Sequence, residues 1–278
     1  MKFVAGQVAV VTGGASGIGL ALVRALAARG LQVCLVDVES PALGEAVIRL
    51  RQAGLTVEPF LADVADATGM TALARVILER HGGVDLLVNN AGVGGLLSPI
   101  WASPLEDWAW VTGVNLLGVV NGIRAFVPAM VERGSGHVLN MASLAGLSSP
   151  PFMGPYVATK HAVVALTECL DAEFAITGAP LKASVACPGN VESRIRAADR
   201  NRPEALKATS SASPEMLARL DRVFDSVRSQ GMITADAAAD RIIAGLEADR
   251  LHILTHPDDQ GPVRERLARV QVALADAA

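Results

Sequence analysis

Tyrosine is all but missing from this chain. Tyr156 is the single one among 278 residues, and aromatic residues together make up only 4% of the sequence. A chain that is 51% hydrophobic but so poor in rings has to fill its core with Ala, Val, Leu and Ile. That mixture suits β-branched strands buried on both faces and Ala/Leu-rich helices packed closely on them. Cysteine is sparse too. Cys34, Cys169 and Cys187 lie far apart with no C-x-x-C spacing, which excludes a disulfide framework and a thiolate zinc site and points to a reducing compartment. His81, His137, His161, His252 and His256 are scattered without ligand spacing, so no metal is expected. Positive charge is in short supply, 24 basic against 28 acidic residues for a net charge of −4. That excludes the basic stripe that a nucleic acid or an anionic membrane surface requires. Gly and polar residues interrupt every apolar run, and the first residues hold no apolar stretch of signal-peptide length. A soluble cytoplasmic protein with no membrane partner is expected.

What is present is an alternation. Short apolar runs at 7–11, 32–37, 56–61, 84–89, 136–141, 182–187 and 251–255 read as strands. Helical periodicity separates them at 17–29, 41–53, 67–81, 104–133, 154–177 and 233–248. Runs such as Val8-Ala9-Val10-Val11 and Leu86-Leu87-Val88 are apolar at every position, as strands covered on both faces should be. Strands alternating with helices make right-handed crossovers and a doubly wound α/β sheet, here parallel, seven-stranded, with helices on both faces. One domain over residues 1–278 is expected. The alternation lapses over 190–231, a stretch rich in Arg, Ser, Ala and Pro; so long a loop is usually functional or mobile. Within it, 214–227 carries Met216, Leu217, Leu220, Val223 and Phe224 at helical spacing. This helix either packs on the domain or forms a lid presenting that face to a substrate.

After the first strand comes Thr12-Gly13-Gly14-Ala15-Ser16-Gly17-Ile18-Gly19, leading straight into an Ala/Leu helix. Gly13, Gly17 and Gly19 let the backbone turn tightly and approach a pyrophosphate held at the helix N-terminus, with Ser16 and Ile18 beside it. The spacing is G-x-x-x-G-x-G, and strand, turn and helix in that order make it far stronger than a glycine-rich turn alone. The second strand ends in Asp37, 18 residues after Gly19. A carboxylate there accepts from both adenosine ribose hydroxyls and repels a 2′-phosphate. Its neighbours Ser16, Val38 and Glu39 are not basic, so NAD is expected rather than NADP. Asp63-Val64 ends the third strand and Asn89-Asn90-Ala91-Gly92 the fourth, both at the carboxyl edge where ligands of such sheets bind. Asp63 suits the adenine amino group, while Asn89 suits either the cofactor or a tie between strands.

Lys160 follows Tyr156 at i+4, so the two share one face of a helix. Met153-Gly154-Pro155 reads as the loop into that helix. A free phenol has a pKa of about 10, and a neighbouring cation depresses an acid by roughly 1–3 units. Lys160 and an oxidised nicotinamide together are therefore expected to bring Tyr156 down toward the range where acid/base exchange works. Ser143, at the end of the fifth strand, suits a hydrogen bond to the substrate oxygen. The order of these groups carries more information than any one of them.

That ordered set resembles the short-chain dehydrogenase/reductase family in its single-domain, Rossmann-like branch. The resemblance covers roughly residues 5–195 and rests on Thr12–Gly19, Asp63, Asn89–Gly92, Asn115, Ser143, Tyr156-x-x-x-Lys160 and Pro188-Gly189, with Ser143 13 residues before Tyr156. It implies a tetrad of Asn115, Ser143, Tyr156 and Lys160. Tyr156 would exchange a proton with the substrate oxygen as hydride passes to or from nicotinamide, and Lys160 would also bind the nicotinamide ribose. Asn115 would hold a water linking Lys160 to solvent. Pro188-Gly189 and Val191-x-Ser193 resemble the segment beside the nicotinamide carboxamide, with Ser193 where Thr is more usual. The terminal stretch near 261–276 resembles bacterial members acting on bulky or aromatic alcohols. The expected substrate is thus an apolar or aromatic secondary alcohol or ketone, with Leu96, Leu97, Trp101, Phe152 and Met153 as pocket candidates beside Ser143 and Tyr156. A homotetramer, or a dimer, is implied, with Gly118-x-x-x-Gly122 serving either the subunit contact or internal packing. The arginines at 194, 196, 200 and 202 read as a solvated loop face. A 3-oxoacyl thioester reductase and a catalytically silent dinucleotide-binding protein are the alternatives; Asp37 counts against the first and the intact tetrad against the second.

Overall fold

In the first strand, β1 (Val8–Thr12), every residue is buried, which is why the run alternates nothing with polar side chains. The computed structural model describes residues 1–228, 231–256 and 260–276, without side chains at 221 and 223–228. The chain continues through α1 (Gly17–Ala28), β2 (Gln32–Asp37), α2 (Ser40–Gln52), β3 (Val57–Leu61), α3 (Ala67–His81) and β4 (Leu86–Asn89). There follow α4 (Leu105–Thr112), α5 (Gly118–Arg133), β5 (Gly136–Met141), α6 (Gly154–Thr177) and β6 (Leu181–Cys187). The last elements are α7 (Pro214–Arg228), α8 (Ala235–Glu247), β7 (His252–Leu254) and α9 (Gly261–Asp276).

Among the described residues the strands form one seven-stranded sheet in the order β3-β2-β1-β4-β5-β6-β7, parallel throughout. Successive side chains of each strand feed opposite cores. Ala9 and Val11 pack with Leu22 and Leu26 of α1, Leu43 and Val47 of α2, and Ile242 and Ile243 of α8. Val8 and Val10 pack with Met70 and Ile77 of α3, Phe126 and Met130 of α5, and Leu170 and Phe174 of α6. Each fully buried Leu, Ile, Phe or Met contributes about 1.5–3 kcal/mol, so the two aliphatic layers account for the fold without aromatic bulk. The strand order reverses between β1 and β4, and the carboxyl ends on either side of that switch leave a crevice.

The helix expected over 104–133 is divided. One π-helical turn, Gly113–Leu117, separates α4 from α5, and Asn115 sits in it, buried. Its side-chain amide donates to the Val93 carbonyl (2.9 Å) and accepts from the Val93 N–H (2.8 Å). A polar residue that interrupts an apolar helix thus has an addressed partner, and the widened turn is the local cost of reaching it. The run Leu105–Arg133 is also long and apolar enough to cross a membrane by length and composition. Its packing on α3, α6, β4 and β5 accounts for that apolar face. Gly118 and Gly122 serve internal packing: a Cβ on Gly118 would come 2.7 Å from Val64 Cγ2, and one on Gly122 would come 2.1 Å from Asn89 Oδ1.

The described residues 190–228 hold more regular structure than their sequence suggests. Short 3₁₀ segments at Ile195–Asn201 and Glu204–Leu206 precede α7. Leu220 is buried and Met216 is exposed, so α7 packs part of its apolar face on the body; Val223 and Phe224 lie outside the described side chains. The α9 helix carries no buried residue.

Candidate active site

The β1–α1 turn is shaped by steric necessity. Gly13 adopts φ 62° and Gly17 φ 52°, a region that favours glycine. A Cβ on Gly13 would lie 2.9 Å from Ala91 Cα, and one on Gly19 only 2.1 Å from the Gly13 carbonyl oxygen. The turn is held by Asn90, whose side-chain amide donates to the carbonyls of Thr12 (2.9 Å) and Gly13 (3.1 Å). Across the cleft a Cβ on Gly17 would come 3.2 Å from Ser193 Cβ. The gap between turn and opposite wall therefore has room for backbone N–H groups to meet an extended anion, and a larger residue would fill it. This is the form a pyrophosphate requires.

Turn and switch point open into a cavity of about 720 Å³. Gly13, Ser16, Gly17, Ile18 and Gly19 line one end, with Asp37, Asp63 and Val64. Ala91, Gly92, Ser143, Tyr156 and Lys160 line the middle, faced by Pro188, Gly189, Val191 and Ser193. Leu97, Trp110 and Met153 close the far end. Asp37 accepts from the backbone N–H groups of Ala15 (2.9 Å) and Glu39 (3.0 Å), so its carboxylate locks the cradle as well as facing the cavity.

Four expected site residues are placed differently, and one of them, Phe152, does not line the cavity, which its neighbour Met153 does. Asn89 is buried within the sheet, donating to Asn140 Oδ1 at 2.9 Å, and Asn90 holds the cradle in its stead. Leu96 is off the cavity wall; its N–H is turned toward the carboxylate of Asp107 (3.1 and 3.2 Å). Trp101 is 89% exposed and closes nothing. Of the loop arginines, Arg194 and Arg196 are exposed as a solvated face would be, but two others are engaged. Arg202 is buried against Asp107 at 2.7 Å, and Arg200 is paired with Glu39. Both contacts span stretches of chain over which sequence periodicity carries no signal.

Tyr156 and Lys160 occupy adjacent turns of α6, with the ammonium 5.6 Å from the phenol ring centre. Tyr156 and Ser143 face the same cavity; the Ser143 oxygen accepts from the Ala145 N–H at 3.1 Å and its hydroxyl donates to the Pro188 carbonyl at 3.4 Å. Lys160 donates to the Met141 carbonyl at 2.8 Å. A Cβ on Gly92 would lie 3.4 Å from both Lys160 Nζ and Asn115 Oδ1, so glycine there leaves both polar groups uncrowded. Burial pushes the Tyr156 phenol up, and the Ser143 hydroxyl nearby pulls the other way. Burial drives Lys160 down to about 8. This corrects the expected balance. In the protein alone burial thus favours the protonated phenol and lowers the lysine without discharging it at neutral pH.

The buried lysine has a consequence for stability. Its folded value of about 8 lies below its ordinary value of 10.5. Between the two, unfolding takes up a proton, so this group makes stability rise with pH across that window. The shift is worth on the order of 3 kcal/mol. Burial raises Cys34, Cys187 and Tyr156, which opposes the rise from about pH 9 upward. Lys160→Met removes only the lysine contribution. The difference in urea midpoint between wild type and Lys160→Met should therefore shift in favour of wild type from pH 8 to pH 10. A constant difference would count against the depressed lysine.

Comparison with known proteins places this geometry. The model of the short chain dehydrogenase family matches residues 7–204. A short-chain dehydrogenase/reductase from Burkholderia phymatum, solved in complex with NAD, is 40% identical and superposes with a TM-score of 0.92 over 98% of this chain and 97% of that one. The C alpha-dehydrogenase of a Sphingobium species is 32% identical over 99% of this chain and 88% of its own length. The 1-deoxy-11-beta-hydroxypentalenate dehydrogenase of Streptomyces avermitilis is 35% identical over 91% of this chain and 85% of its own. With the family model covering most of its length and these relatives spanning nearly all of it, the chain belongs to the short-chain dehydrogenase/reductase family of oxidoreductases.

Proposed function

We propose that this chain interconverts a secondary alcohol and a ketone on an apolar or aromatic small molecule, with NAD as cofactor. The observation that carries the reading is the grouping of Tyr156, Ser143 and Lys160 on the wall of one cavity. One end of that cavity is a glycine cradle and the other is lined by Leu97, Trp110 and Met153. The cradle and Asp37 would hold the dinucleotide, which would supply hydride acceptance or donation and, when oxidised, positive charge within the cavity. Ser143 holds the substrate oxygen. Tyr156 gives or takes the proton at that oxygen, and Lys160 steadies the phenolate as it forms. Asn115 clamps Val93 and so sets the strand end that carries Gly92. The mixed apolar lining supports a ring or short aliphatic substrate rather than a polar one.

The relatives' names support the same class of reaction, because two are dehydrogenases by their printed names, one of them of a hydroxypentalenate. The chain acts as one unit in the cytoplasm, with 190–231 covering the cleft, and assembles as a homotetramer or dimer. Exposed Leu117, Val131 and Ile176 on the π turn, α5 and α6 offer apolar surface for that contact. The test is a kinetic screen of aryl and alkyl secondary alcohols, and the matching ketones, with NAD(H) and NADP(H). Turnover of at least one aryl alcohol with NAD preferred is expected; a clear NADP preference would overturn the Asp37 argument, and no turnover of any pair would overturn the reaction.

A further inference from the structure

The carboxyl end of β2 is met by a residue from far along the chain. Arg200, in the 3₁₀ segment Ile195–Asn201, grips the carboxylate of Glu39 with two donors, Nε at 3.0 Å from Oε2 and Nη2 on Oε1. Asn201 Nδ2 adds a third bond to Glu39 Oε1 at 2.8 Å. Glu39 is itself joined to Asp37, through its N–H and Asp37 Oδ1. Asp37, Glu39 and Arg200 line the same end of the cavity. The guanidinium is also anchored independently of Glu39: Nη1 donates to the carbonyls of Ala197 (2.6 Å) and Arg194 (3.3 Å). The pair is only partly covered, with side chains 27% and 18% exposed.

We propose that Glu39 is a specificity-determining residue that excludes a 2′-phosphate by neutralising Arg200, a cation otherwise poised to bind one. This rests on the proposed use of the cavity for NAD. Asp37 repels a phosphate in its own right, but a guanidinium at the same cleft end is the group best suited to holding phosphate by paired N–H donors. Glu39 consumes those donors. The hydrogen bond from Arg200, with that from Asn201 and the Arg200 and Arg194 charges, also keeps the Glu39 carboxyl below the usual range, so the partner stays ionised. Because Ala197 and Arg194 hold the guanidinium, loss of the Glu39 charge leaves Arg200 at the cleft mouth instead of freeing it to solvent.

The test measures NADH and NADPH binding to the purified protein by nucleotide fluorescence at low salt, for wild type, Glu39→Gln, Arg200→Ala and the double variant. Expected is a fall of tenfold or more in the ratio of the NADPH to the NADH dissociation constant for Glu39→Gln. Asp37 still opposes the phosphate, so the preference narrows without reversing. In the double variant the ratio should return toward the wild-type value, and salt should erode the gain. An unchanged ratio in Glu39→Gln overturns the proposal, as does the same fall in the double variant, which would assign the effect to lost negative charge alone. Thermal melts of all four proteins separate a cofactor effect from a folding one. If wild type binds neither nucleotide, the proposed function fails instead.

Discussion

Replacing Tyr156 by Phe is expected to lower kcat by about 10²–10⁴-fold while the protein still folds and binds NADH. General acid/base transfer by a positioned group contributes that range. The substitution keeps the ring that buries against its neighbours and removes one hydroxyl. No second phenol exists in the chain to take over. The loss should fall on kcat rather than on the affinity for cofactor, because the cradle lies at the other end of the cavity and is built from backbone. The measurement is steady-state kinetics with the best alcohol of the screen, alongside NADH fluorescence titration. Activity within tenfold of wild type would remove Tyr156 from the proton path and favour a binding protein without catalysis.

The sheet was legible because burial on both faces leaves an unbroken mark. All seven strands lie within one or two residues of the apolar runs that predict them, and the β2 run ends where Asp37 reaches the cleft. The cradle was legible for a similar reason: Gly13 and Gly19 occur where no Cβ fits, so sterics wrote the motif into the sequence. Asn89 and Asn90 were not separable from sequence. Both amides end the same strand, and only the pleat decides which faces the cradle and which crosses to Asn140. Leu96 shows the same limit, since its backbone is steered by Asp107, 11 residues away. The sign of the Tyr156 shift was missed for another reason. Spacing reveals a neighbouring cation, but the cost of burying both groups depends on everything that encloses them. The loop arginines were the largest gap. Arg and Ser runs carry no periodicity, and contacts such as Glu39–Arg200 join residues 161 apart.

Arg202 carries the second large effect, through its partner Asp107. The two side chains are 1% and 0% exposed, the guanidinium lies 4.0 Å above the Trp110 ring, and its Nη1 donates to the Leu206 carbonyl at 3.3 Å. Asp107 meanwhile accepts from the Leu96 N–H, beside Gly95, which has φ 71° and no room for a Cβ against Val111 at 2.8 Å. One carboxylate thus fastens both the loop after β4 and the segment leading to α7 onto α4. Asp107→Ala leaves the buried guanidinium only Asp199, whose side chain is 62% exposed, as its carboxylate partner. It should cost up to about 3–5 kcal/mol, lowering Tm by as much as roughly 6–20 °C for a chain of this size. Asp107→Leu combined with Arg202→Met removes both charges and should cost clearly less than Asp107→Ala alone, because no uncompensated ion remains. The apolar pair cannot hold the Leu96 N–H, however. The double variant should therefore recover much of its Tm yet show a raised KM for substrate, as the Leu97 wall loosens, with the NADH dissociation constant little moved. A double variant as unstable as Asp107→Ala would show that packing around Trp110, not the isolated charge, governs this corner of the cleft. A double variant with wild-type KM would show that the substrate wall does not depend on the Asp107 tether.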